Sequence, residues 1–300
     1  MRYNLILKIF LFAGRAQNGG FMNTIFLSDL DGTLLDDGAC LPVSVRQELA
    51  GLLERGLPFT VATGRTHLSV GPIFQGLPMA VPWVLMNGAL ILAPGDGAVL
   101  DRVPLGKAAW SELVRAEEEL GLSGLLLGTA GDRLYATLGG TCTPIWEAFF
   151  RRNHVTGPPP VSAGRAEDWD GEDLLYGIYI HPQMGLLTEL ARRLTAHGGF
   201  RVDLYRDRYD RDTCCLELYS ADASKGRAAE TLRRLTGARR LVAFGDGEND
   251  LPLFQVCDEC YAVKNAASEV KAAAHGVIGS CEEGGVVRYL ERRWRNEGMV

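Results

Sequence analysis

Thr24-Ile25-Phe26-Leu27-Ser28-Asp29-Leu30-Asp31-Gly32-Thr33-Leu34-Leu35 decides how the rest of the chain is read. Its first residues are apolar and β-prone without alternation, the pattern of a strand buried on both faces. The strand delivers two carboxylates, Asp29 and Asp31, at its C-terminal end, followed by Gly32. In an open α/β sheet, the carboxyl ends of the strands are where ligands bind. Two like charges one residue apart repel, so their placement there points to a cation or a proton-transfer task.

Working outward, Ser44–Arg55 has helical spacing, with Val45, Leu49, Leu52 and Leu53 on one side, Ser44 as the cap and Gly56 as the stop. Pro58–Ala62 reads as a short buried strand ending in Thr63-Gly64-Arg65, and Trp83–Met86 as a third strand ending at Asn87-Gly88. The alternation of strand and helix predicts a parallel sheet. From Ala89 to Tyr219 the rhythm changes to hairpin-like pieces, Ile91–Val103, Leu125–Thr137, Leu174–His181 and Phe200–Tyr219, with two helices, Lys107–Leu120 and Met184–His197. The run Pro158-Pro159-Pro160 marks a loop inside this insertion. The parallel rhythm then resumes with a helix from Ser224, a strand Leu241–Phe244, a helix from Leu251, a strand Tyr261–Val263 and closing helical segments.

The expected fold is therefore α/β: a Rossmann-like parallel-sheet core with an inserted α+β cap domain. Its expected parts are an extension over 1–21, core over 22–88, cap over 89–219 and core again over 220–300. The extension is apolar over Leu5–Phe12 but interrupted by Lys8, far too short to span a bilayer. It reads as a segment ahead of a start at Met22, with a weak signal peptide as the other reading.

Composition narrows the function classes. With 31 Lys and Arg against 37 Asp and Glu, a net charge of −6, the chain has no basic stripe for a nucleic acid. Seven scattered cysteines do not make a secreted disulfide framework, which favours a cytoplasmic setting. Cys257 and Cys260 form one CxxC, yet no second pair lies at zinc spacing, so packing is the expected role. The partner expected from composition is a charged small molecule, with no nucleic acid and no membrane, for a monomer or small homo-oligomer.

Four polar clusters fall at strand ends or a helix start: Asp29/Asp31, Thr63/Arg65, Lys225 and Asp246/Asn249/Asp250. Alone, each is an ordinary turn or surface feature. Together with Asn87–Ala89, Ser224–Gly226 and Val263–Ala266, they make the chain resemble the haloacid dehalogenase superfamily, in its Cof-type branch with a type IIB cap. The matching pieces are DLDGTLL, ATGR, NGA, SKG, GDGEND and VKNA, running from Asp29 to Ala266. Lys264 departs from the small residue common at its position in the family.

The resemblance implies a Mg²⁺-dependent phosphatase acting on small phosphate monoesters, a sugar phosphate or related metabolite, through an aspartyl-phosphate. Asp29 would be the nucleophile and Asp31 the general acid and base. A halide needs no proton to leave, so an acid at Asp31 favours phosphate esters over haloacids. The implied metal ligands are Asp29, the backbone carbonyl of Asp31 and Asp246, with Asp250 holding a metal-bound water or orienting its neighbours. The implied phosphate cradle is Thr63, Lys225, Asn249 and the backbone at Leu30, Gly32 and Gly64.

Arg65 stays open between substrate contact and helix anchor, and Asn87 is expected to order the loop into the cap. Gly88 and Gly226 are expected to serve backbone geometry. Arg206, Asp207, Arg208, Tyr209 and Trp146 are candidates for selecting the organic group, each equally readable as surface charge or packing. Two other functions remain open: a phosphomutase or phosphotransferase that passes the phosphoryl group to another hydroxyl, and a non-catalytic phospho-metabolite sensor.

Overall fold

The computed structural model describes residues 24–95, 97–130, 133–153, 155, 174–207 and 210–296, so the amino-terminal extension and the triple-proline loop lie outside it. Two compact units emerge. One comprises residues up to Gly64, Phe74–Gly97 and Ser224 onward, and the other Arg65–Ile73 with Ala98–Ala223. The long segment of the second unit is 98–223; the change of sequence rhythm places the expected insertion at 89–219.

The first unit opens with β1, Thr24–Ser28, all five residues buried as a strand covered on both faces requires. A helix Val43–Glu54 leads to β2, Phe59–Val61, and β3 follows at Trp83–Leu85. Ser44 lies inside that first helix, not at its cap; Pro42 occupies the cap position and no side chain bonds there. Proline suits a helix start because its missing N–H needs no partner. A tight turn over Met86–Gly88 then reverses the chain into β4, Leu90–Leu92, antiparallel to β3.

The second unit holds β5 (Val99–Arg102), β6 (Leu125–Ala130), β7 (Arg133–Leu138), β8 (Leu174–His181), β9 (Phe200–Arg206) and β10 (Cys214–Ser220), with helices between β5 and β6, β7 and β8, and β8 and β9. The sheet runs β7-β6-β8-β10-β9, every neighbouring pair antiparallel. The helices Lys107–Leu120 and Met184–His197 stand where the periodicity puts them, and Leu113, Leu187, Leu190 and Leu194 pack with Leu216 and Leu218 of β10. A third helix, Pro144–Arg152, is absent from the sequence reading; it buries Trp146 and Phe150, stacked with centroids 5.7 Å apart.

The first unit closes with β11, Arg240–Gly245, β12, Glu259–Val263, and β13, Gly276–Ile278, between the helices Lys225–Thr236, Leu251–Val256, Ser268–Ala273 and Gly285–Asn296. Its sheet runs β13-β12-β11-β1-β2, all parallel. A parallel bridge between Ala62 and Val84 continues it toward β3. Because β1 sends the chain to β2 on one side and receives β11 on the other, the strand order reverses beside β1. Such a switch point opens a crevice at the carboxyl ends, and Asp29, Thr63 and Asp246 all follow the three strands that border it.

All seven cysteines are free thiols. Cys257 and Cys260 are buried, and Cys260 Sγ lies 3.0 Å from His275 Nδ1. Cys214 joins the packed helical face of its sheet, while its neighbour Cys215 points to the other, 4.0 Å from Asp207. Among the described residues no helix is long and apolar enough to cross a membrane.

Candidate active site

Asp29 leaves β1 with its N–H donated to the Phe244 carbonyl at 2.9 Å, so its backbone is held by the neighbouring strand. The next turn wraps around one acceptor: Thr33, Leu34 and Leu35 all donate to the Leu30 carbonyl, at 3.2, 3.0 and 2.9 Å. Gly32 closes that turn at φ 82°, a left-handed value that a side chain would resist. Leu30 is buried beneath it.

Lys225 starts the helix Lys225–Thr236, whose cap Ser224 accepts from the Arg227 N–H at 3.1 Å. Its ammonium is fully buried and donates to Asp29 Oδ1 at 2.6 Å and to Asp250 Oδ1 at 2.7 Å. The other Asp250 oxygen accepts from the N–H groups of Asp246 and Gly247, at 2.9 and 3.1 Å. Both oxygens of Asp250 are thus engaged in shaping the Gly245–Asp250 loop. Asp29, Asp246 and Asp250 offer oxygen atoms that all lie within 4.8 Å of one another.

Electrostatics follow from that crowding. Burial pushes the Asp29 carboxyl well above its ordinary range; Lys225 opposes the rise, and Asp250 and Asp246 add to it. Burial alone would lower Lys225, but the attraction of Asp250 and Asp29 raises it overall, so the lysine keeps its proton. One ammonium among three carboxylates leaves net negative charge, and an all-oxygen set of donors suits a hard divalent cation such as Mg²⁺. The residues present fit such an ion.

Of the other expected site residues, Asp31 sits half-buried in the turn with its carboxylate outside the converging three, and Asn249 is exposed on the turn after β11. Thr63 is buried, its N–H donated to Val84 at 3.0 Å, and Gly64 follows it. Two residues went unassigned in the sequence. Thr33 Oγ1 donates to Asp246 Oδ1 at 3.1 Å, and Asn265 Nδ2 donates to the Gly32 carbonyl at 2.6 Å while its Oδ1 accepts from Cys281 N–H. Both stood inside quoted motifs, DLDGTLL and VKNA, which was the available signal.

In the inserted unit, Asp207 is buried and ion-paired with Arg152 at 3.0 Å, and Trp146 is packed, so both have structural work. Arg206 is exposed at the end of β9; Arg208 and Tyr209 lie outside the described residues.

Gly226 illustrates how tightly the lysine helix is set. A Cβ there would overlap the Pro252 carbonyl oxygen, which is backbone and has little room to move. Gly226→Ala is expected to cost about 1–3 kcal/mol of stability by overpacking, measurable as a lower urea midpoint with an unchanged slope.

The model of the haloacid dehalogenase-like hydrolases matches residues 26–290. The chain is 24% identical to the Bacillus subtilis 5-amino-6-(5-phospho-D-ribitylamino)uracil phosphatase YitU, over 88% of this chain and 94% of that one. It is 26% identical to the HMP-PP phosphatase of Serratia proteamaculans, over 89% and 94% of the two. The crystal structure of TM0651 from Thermotoga maritima shares the fold at a TM-score of 0.71 and 24% identity, covering 89% of this chain and 96% of that one. The chain belongs to the haloacid dehalogenase-like hydrolases, in their Cof-type branch.

Proposed function

From that membership we propose that the chain is a Mg²⁺-dependent phosphatase that hydrolyses small phosphate monoesters through an aspartyl-phosphate on Asp29. The reading is carried by the convergence of the Asp29, Asp246 and Asp250 carboxylates, two of which, Asp29 and Asp250, bond the buried Lys225 ammonium. Asp29 attacks phosphorus and the ester oxygen departs with a proton from Asp31; water then attacks the aspartyl-phosphate as Asp31 takes its proton back. Thr63, Asn249, Lys225 and the backbone at Leu30, Gly32 and Gly64 hold the phosphate oxygens.

Asp29, the Asp31 carbonyl and Asp246 would hold Mg²⁺, with Asp250 orienting its neighbours through the two N–H bonds it already accepts. Bound there, the ion offsets the repulsion between Asp29 and a phosphate dianion. Lys225 contributes the fixed part of the same compensation. The relatives' names span a phosphoribityl pyrimidine and HMP-PP, so cofactor-type phosphate esters belong beside sugar phosphates among the substrates to try.

The test is phosphate release from a panel of sugar and cofactor monoesters with Mg²⁺. Chelating the ion is expected to stop release, and adding excess Mg²⁺ to restore it. Unchanged rates in chelator would refute the metal assignment, and an isomerised sugar phosphate in place of free phosphate would refute hydrolysis.

A further inference from the structure

Met86, Asn87 and Gly88 stand in succession at positive φ, 52°, 52° and 92°. Such a run is uncommon for residues with side chains, and for a buried methionine it is held only where the surroundings over-determine it. Asparagine is the residue that best tolerates the left-handed region after glycine. The contacts of the turn explain what holds it. The Asn87 N–H donates to the Thr63 carbonyl at 3.0 Å, tying the turn to the loop after β2. The Asn87 side-chain oxygen accepts from Asn249 Nδ2 at 3.1 Å, tying it to the loop after β11. At Gly88 a Cβ would overlap the Ser224 carbonyl and come within 3.0 Å of Lys225 N, so the turn also lies against the start of the lysine helix.

One buried tripeptide therefore touches three separate loops, and each of them carries a residue of the phosphate cradle: Thr63, Asn249 and Lys225. Of the three, Asn249 needs the help most. Its side chain is exposed and sits on a single turn of 3₁₀ helix, Glu248–Asp250, whereas Lys225 and Thr63 are buried.

We propose that Asn87 is a positioning residue for phosphate recognition: its side-chain oxygen fixes the Asn249 amide through one hydrogen and aims the other at a phosphate oxygen. The inference rests on the phosphatase reading for the identity of the ligand, but the contact itself does not. Fixing the amide beforehand removes a rotamer cost that binding would otherwise carry. Glycine at 88 gives the space for the close approach to Ser224, and asparagine at 87 tolerates a left-handed backbone while still bearing an acceptor for Asn249.

The experiment is a double-mutant cycle on the full chain with Mg²⁺. Asn87→Gly keeps the left-handed backbone and deletes only the side chain. Paired with Asn249→Ala and the double variant, it is read as kcat/KM on the best ester of the panel and as inhibition by orthovanadate. Asn87→Gly is expected to lower both affinity for vanadate and kcat/KM about tenfold, and the double variant to match Asn249→Ala within about twofold, because its effect on phosphate passes through the Asn249 amide. Losses that multiply in the double variant overturn the proposal, since a merely structural asparagine would give that result. A second readout needs no turnover. The Asn249 side-chain amide resonance, assigned by its disappearance in Asn249→Ala, is expected to shift in ligand-free Asn87→Gly. An unmoved resonance overturns the contact, whereas a wild-type protein that releases no phosphate from any ester removes the phosphatase reading and leaves the amide test standing.

Discussion

Asp29→Asn is expected to lower phosphate release by about 10⁴-fold or more while the protein stays folded, the scale at which loss of a covalent nucleophile registers elsewhere. The amide oxygen has nearly the carboxylate's shape but no charge to drive attack on phosphorus. The fold should tolerate the exchange. Asp29 is a buried carboxyl whose charge is disfavoured by burial and by Asp250 and Asp246, so neutralising it removes a repulsion along with an attraction. Lys225 retains Asp250 as a partner at 2.7 Å. The melting midpoint without Mg²⁺ should therefore stay within a few degrees of the wild type, corresponding to roughly 1 kcal/mol or less. Phosphate release by purified protein and a thermal melt on the same sample check both halves. Residual activity at the wild-type level would take the nucleophile's role from Asp29.

Much of this site was legible because of where parallel sheets keep their chemistry. Strands covered on both faces leave an unbroken apolar run in sequence, and the polar residues that follow it mark the carboxyl end. Asp29 after β1, Thr63 after β2 and Asp246 after β11 announce themselves in this way, and the order of the strands brings them side by side. The helices Lys107–Leu120 and Met184–His197 were equally plain, each carrying its leucines on one face and a glycine just past its end.

What escaped was either short or non-local. β13 is three residues long, and its middle residue, Val277, is 54% exposed at the sheet edge, so no run of buried side chains marks it. The helix Pro144–Arg152 carries its own signals, proline at its start and Trp146 and Phe150 four apart, but it sits among hairpin pieces where a strand reading competes. At Asn87-Gly88 the dipeptide is itself a hairpin signal, and the structure turns β3 back into β4 there; reading it as a linker into the insertion hid the reversal. Within the site, the bonds from Thr33 to Asp246 and from Asn265 to Gly32 join residues more than two hundred positions apart. No periodicity reports a contact of that kind; only the folded sheet creates it.

Lys225→Met separates charge from packing at the same centre. Methionine fills most of the lysine stem's volume, so the substitution chiefly removes the ammonium that bonds Asp29 and Asp250. Asp250 is fully buried, and stripping the cation from a buried pair typically costs about 3–5 kcal/mol. Turnover is expected to fall about 10³-fold, as loss of a preorganised charge beside the reacting group does. The pH dependence gives the mechanism away. Burial already raises the Asp29 carboxyl, with Asp250 and Asp246 adding to the rise, and the substitution removes the Lys225 charge that opposes it. A carboxyl raised in the folded state holds its proton longer than in the unfolded chain, so folding is favoured below the unfolded value near 4 and loses that support as pH climbs through the folded value. The stability gap between variant and wild type should then be smallest in acid and widen toward neutral pH, and Mg²⁺ should narrow it at neutral pH by supplying charge to the same carboxylates without restoring turnover. Denaturant melts across pH, with and without the ion, measure that gap; if it stays constant, the lysine matters here as a packed stem and its charge does not hold the centre together.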